Sequence, residues 1–177
     1  MDPRLCSPLC GTLTSVSASD PLFAPSAAVH QLRPKERLAF QLGLVALESA
    51  QLELGMTVLY MTLLESERAE TIASGLGFDQ LRQGCEALSK NLKDNALRTD
   101  VLDTLKAARS LMESRHTAIH GIWPGRRGRR SLRLRRWGQR DIRDWQPSDL
   151  NELARKLRAL DDHLDDLTEQ VTVALNG

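Results

Sequence analysis

From Leu150 onward, apolar residues recur in steps of three and four: Leu150, Leu153, Leu157, Leu160, Leu164, Leu167, Val171 and Ala174. Such steps return side chains to one flank of an α-helix, whereas a half-buried strand needs steps of two. The pattern commits this region to a helix, and earlier stretches repeat it. Leu38, Leu42, Val45, Leu52, Met56, Leu59 and Leu63 form a stripe over about 34–67. Leu44, Leu47, Leu54 and Val58 widen that apolar face, which makes this helix the expected centre of the core. Its polar residues, Glu48, Gln51 and Glu53, are expected on the outer face. Leu97, Val101, Leu105, Ala108, Met112 and Ile119 form a further stripe over about 96–119. Between the two, Gly75 and Gly77 interrupt the pattern, and Phe78, Leu81, Cys85, Leu88 and Leu92 fit a shorter helix. Aromatics make up only 4% of the chain, too few for a β-sandwich. The expected class is all-α: a four-helix bundle with a short Arg-rich β-hairpin inserted before the last helix. The seam of that last helix fits a coiled-coil contact with a partner helix or, the favoured reading, internal packing.

Helix ends carry their own signals. Pro34 and Glu36 suit a first turn, and Gly121 stands where a left-handed cap is usual. Asp149 and Glu152 are spaced like a capping box. Residues 1–31 are rich in Ser, Pro and Ala and lack periodicity, so they read as a disordered N-terminal tail before a helical domain over 32–177. Three cysteines form no disulfide framework, and no apolar leader follows Arg4, which together suggest the cytoplasm. The apolar stretch 43–64 could span a bilayer by length. Glu48 and Glu53 lie within it, however, and an acid near a membrane-helix centre costs about 2.5–3.5 kcal/mol. It reads as a core helix, and no membrane partner is expected.

The net charge of +1 hides an asymmetry. Residues 121–143 hold nine arginines and one aspartate, a net +8, leaving fifteen cations and twenty-two anions, or −7, for the rest. Pro124, Gly125 and Gly128 mark turns, and alternation over 131–137 suggests a ribbon spanning roughly 121–145. A basic segment on an acidic body points to a polyanionic partner. All three tryptophans, Trp123, Trp137 and Trp145, lie in or beside it. They either stack on bases or close the ribbon against the helices.

Arg115 falls on the apolar stripe between Met112 and Ile119, where a leucine is expected. An internal ion pair with Glu48 or Glu53, or a stem that snorkels to water, would account for it. His116 and His120 are four apart and share a helix face. With Glu113 the one further ligand nearby, a metal site is not expected, because catalytic zinc takes three protein ligands.

The string Glu113, Arg115, His116, His120, Gly121 and Trp123 resembles the signature of HEPN-domain proteins, an Arg, a polar residue and a His four to six positions after the Arg. The resemblance implies a bundle of four or five helices with the motif late in the chain. It also implies a metal-independent endoribonuclease with no cofactor, acting as a homodimer whose motifs face each other across a cleft, often in toxin–antitoxin or antiviral systems. An antitoxin or other protein partner is implied with it. Arg115 and His120 would then be catalytic and His116 would assist. Arg126, Arg127, Arg129, Arg130, Arg133, Arg135 and Arg136 would hold the RNA backbone. The alternative is a non-catalytic nucleic-acid-binding or adaptor protein of the same helical fold.

Overall fold

The computed structural model describes residues 31–121, 131–134, 140–143 and 145–177, the two short strand segments by their backbone alone. The expected tail over 1–30 and most of the arginine segment lie outside the described residues. Leu32–Gly177 forms one unit of the chain. Its class is all-α. Helix α1 spans Pro34–Leu64, α2 is a single turn at Ala69–Ala73, and α3 spans Phe78–Leu88, followed by a 3-10 turn at Ser89–Asn91. Helix α4 covers Asn95–His120 and α5 covers Pro147–Asn176. Strands β1, Ser131–Leu134, and β2, Arg140–Arg143, pair antiparallel with Leu132 opposite Ile142.

The helix ends follow local chemistry, with three departures from expectation. At the start of α1, Pro34 takes a first-turn position and the Glu36 carboxylate accepts the Arg33 backbone N–H at 2.9 Å. Helix α1 ends at Leu64, three residues short of expectation, because Glu65 turns left-handed at φ 47°. The Asp94 side chain caps α4, accepting from Ala96 N–H at 2.7 Å and Leu97 N–H at 3.3 Å. Gly121 is not left-handed: its φ of −70° and ψ of 154° are extended, so the chain leaves α4 directly into the basic segment. Asp149 does not act as an N-cap either. It lies at the third helical position of α5 and accepts the Gln146 backbone N–H at 2.7 Å, and Glu152 pairs with Arg155 and Lys156 instead.

Helices α1 and α5 share the most extensive interface, and α4 and α3 pack around them. Leu150, Leu153, Leu157, Leu164, Leu167 and Val171 of α5 are buried, so its seam is internal packing. Leu52, Met56 and Leu59 of α1 meet it as fully buried side chains. Burial of a leucine this complete is worth about 1.5–3 kcal/mol. The widened face of α1, however, is borne out only at Leu44, which is buried. Leu47, Leu54 and Val58 are exposed, whereas the charged Glu48 is buried at 5% exposure. Helix α5 occupies the flank that carries Glu48, so the carboxylate turns inward and the leucines are left outside. By length and composition α1 could cross a membrane, and 44% of its most apolar window is buried within the domain.

Close approach of α1 to α5 depends on Gly55, where a Cβ would lie 2.8 Å from the Asp161 Oδ1. Burial pushes the half-buried Asp161 carboxyl up to about 6, helped by the negative Asp165, Asp162 and Glu48 and opposed by Arg158. An unfolded Asp titrates near 3.9, so the fold favours the neutral acid. Its stabilising contribution is complete below about pH 4 and is lost as pH rises through about 6. Asp161→Asn should therefore raise stability above pH 6 by roughly 1 kcal/mol, a figure already discounted for solvent screening, and leave it unchanged at pH 4. Urea unfolding of both chains at the two pH values checks this. An equal gain at both would mean that charge is not the cause.

Candidate functional site

The candidate residues sit on the last two turns of α4. Arg115 is half-buried, and its Nε donates to the Oγ of Ser49 on α1 at 3.2 Å. The Ser49 hydroxyl in turn donates to the Ala46 carbonyl at 2.9 Å. Ser49 is fully buried and occupies the stripe position between Val45 and Leu52, the one place where that stripe lacks an apolar residue. Arg115 is the matching irregularity on the α4 stripe. The two exceptions meet each other, and a charge-assisted bond of this kind contributes about 1.5–3 kcal/mol. Sequence reasoning sought an acid for Arg115 and missed the serine, although the gap in the α1 stripe was its signal.

His116 and His120 are exposed, and their ring centroids lie 4.6 Å apart at an interplanar angle of 49°. Four residues on a helix bring them to one flank, as expected. Arg115 and His120 are five residues apart, which turns them about 140° from each other around α4. The structure thus joins the two histidines at the surface and directs Arg115 towards α1. Among the described residues, no group of three or more His, Cys, Asp or Glu side chains could hold a metal. Glu113 is exposed and pairs with Arg109 at 3.4 Å, one turn back along α4.

Strand β1 of the basic segment runs against α4. In its backbone register Arg133 stands opposite Asp141. Arg126, Arg127, Arg129, Arg130, Arg135 and Arg136 lie outside the described residues, as do Trp123 and Trp137. Trp145 is buried at 5% exposure, so it packs within the domain and offers no open face for base stacking.

A cleft of about 550 Å³ opens elsewhere, between the start of α4 and the end of α5. Asp94, Asp166 and Glu169 line it alongside Leu97 and Val173. Its acidic rim is unsuited to a polyanion. The chain matches no family model, no curated protein and no solved structure.

Proposed function

We propose that the chain acts on RNA in the cytoplasm as a homodimeric, HEPN-like, metal-independent endoribonuclease, with a toxin or antiviral defence role. The architecture attached to this reading is a four-helix bundle with an inserted arginine-rich hairpin. The observation that supports it best is the packing of β1, the described strand Ser131–Leu134 of the basic segment, against α4, the helix that carries Arg115, His116 and His120. Phosphoryl transfer from the 5′-oxygen to the adjacent 2′-oxygen, which forms one P–O bond as the other breaks, requires three services. The 2′-hydroxyl must lose its proton, the five-coordinate phosphorus must be stabilised, and the departing 5′-oxygen must gain a proton. Arg115 carries a permanent positive fork suited to phosphate oxygens. His120 carries an imidazole, the side chain most often used to transfer protons, with His116 against its ring to assist. The arginine segment holds the flanking phosphates. An antitoxin or another protein would bind the same chain as its regulator.

One observation favours the second reading, a non-catalytic nucleic-acid-binding or adaptor protein. Arg115 is already bonded to Ser49 and diverges from His120, so a single copy of α4 does not aim both at one phosphate. A cleft shared between two protomers would be needed to bring them together. The test is cleavage of end-labelled RNA by wild type, Arg115→Ala, His120→Ala and Ser49→Ala. The first two variants are expected to lose about 100-fold or more in rate, as for removal of an acid–base or phosphate-stabilising group. Ser49→Ala retains the Arg115 charge and reports the effect of loosening its anchor. Equal cleavage by wild type, Arg115→Ala and His120→Ala, or none by any chain that binds RNA, would eliminate the nuclease and leave the binding protein.

A further inference from the structure

Every exposed residue of α1 between Ala39 and Val58 is uncharged, and Gln51 is the one polar side chain among them. Soluble surfaces ordinarily carry a quarter or more of charged residues. A helix apolar all round belongs in an interior, yet this one has an open flank. On that flank the large side chains form a row at heptad spacing: Phe40, Leu47 and Leu54, joined by Val58. Leu47 is 49% exposed and Leu54 is 58% exposed. Beside that row runs a second of small residues, Ala39, Gly43, Ala46 and Ala50, turned about 70° around the axis. Among the described residues, nothing lies within 4 Å of where a Cβ on Gly43 would sit.

We propose that this outer face of α1 is the docking surface for a second copy of the chain. A row of large side chains next to a row of small ones is complementary to itself. A two-fold axis parallel to the helices lays each copy's large row on the other's small row, the isologous contact that closes a dimer. The large row runs from Phe40 to Val58, about 27 Å along the axis, and its side chains are 37–58% exposed, a face on the scale of the smaller stable interfaces of about 1,200 Å². One charge borders the contact: the half-exposed Glu53 lies one heptad beyond Ala46 at the edge of the small row, where its carboxylate can stay in water.

The geometry has a consequence for the Arg115 region. Ser49 lies about 160° around α1 from Leu47, so Arg115 sits on the far side of α1 from this face. A dimer closed here holds its two Arg115 side chains about 20 Å apart or more, with both α1 helices between them. A cleft shared by the two motifs would require a different surface. The docking inference does not rest on the RNA reading: the two contacts use different faces, both together would make a tetramer, and the dimer proposed here is the one formed in the absence of RNA.

The test is equilibrium sedimentation of the full chain at micromolar concentration beside Leu54→Glu and Leu47→Glu. Wild type is expected to be a dimer, and each variant is expected to weaken it about 100-fold while keeping its helical circular dichroism, since both positions face solvent in the single copy. Gly43→Cys and Leu54→Cys, made separately with Cys6 and Cys10 changed to Ser, should each form a self-disulfide, because only parallel helices bring both positions to their own mates. A monomeric wild type overturns the proposal, as does a dimer that both glutamate variants leave intact. A wild type that is monomeric in buffer and floats with anionic phospholipid vesicles through Leu47 and Leu54 would give the face to lipid, and also overturns it.

Discussion

Changing Arg126, Arg127, Arg129, Arg130, Arg133, Arg135 and Arg136 together to glutamine is expected to lower affinity for single-stranded RNA about 1,000-fold at moderate salt. Each cation that neutralises a phosphate releases counterions, and for single strands each contributes about 0.7 to the slope of log affinity against log salt. Seven contacts would give a wild-type slope of about −5, and the glutamine chain should be nearly flat. These substitutions leave the helices untouched, so far-UV circular dichroism should not move. His120→Ala should retain the full salt slope, because a proton-transfer group is not a backbone clamp. A flat wild-type slope would remove phosphate contacts from the account and, with them, the purpose assigned to the +8 segment.

Gly84→Leu is expected to cost roughly 3 kcal/mol, a large share of the 5–15 kcal/mol by which such a domain is stable. Helix α3 approaches α1 at this glycine so closely that a Cβ would lie 2.4 Å from Cε2 of Tyr60 and 2.9 Å from its Cδ2. The Tyr60 ring is itself buried at 9% exposure and cannot swing aside without opening the α1–α3 contact. Leucine brings three carbons beyond the Cβ into that space. A fall in melting temperature of about 6–12 °C is the expected reading for a domain of this size. Gly84→Ala should lose less, since alanine adds only the Cβ to the clash; the helix propensity gained over glycine, about 1 kcal/mol, is nearly the same for both residues. An unchanged melting temperature in the leucine variant would mean that Tyr60 does not occupy this position.

The sequence pattern located the helices well and their surroundings poorly. Three- and four-residue steps were enough to place α1, α3, α4 and α5, because periodicity is a property of one helix. The single turn at Ala69–Ala73 escaped notice, being too short to show a period. The stop at Glu65 was also illegible, since a left-handed glutamate has no distinctive neighbour pattern. At the candidate site, the adjacency of His116 and His120 followed directly from their spacing. The partner of Arg115 did not: two stripe irregularities 66 residues apart had to be recognised as facing each other.

The sequence alone determined the all-α class, the heptad seam of α5 and the separation of a +8 segment from a −7 body, while burial showed that seam to be internal. Local spacing and summed charge decide such features without reference to any neighbour. Only the tertiary structure decided how far the buried arc of α1 extends beside its stripe. Val45, Leu52, Met56, Leu59 and Leu63 of that stripe are buried as their spacing implies, but apolar residues also flank it, so the pattern sets no limit to the arc. Packing of α5 at Gly55 set that limit, drawing Glu48 and Asp161 inside and leaving Leu47 and Leu54 outside. The same packing turns Ser49 towards Arg115. The exposed leucine face and the anchored arginine therefore lie on opposite sides of one helix, because a cylinder buried on one arc must present the other.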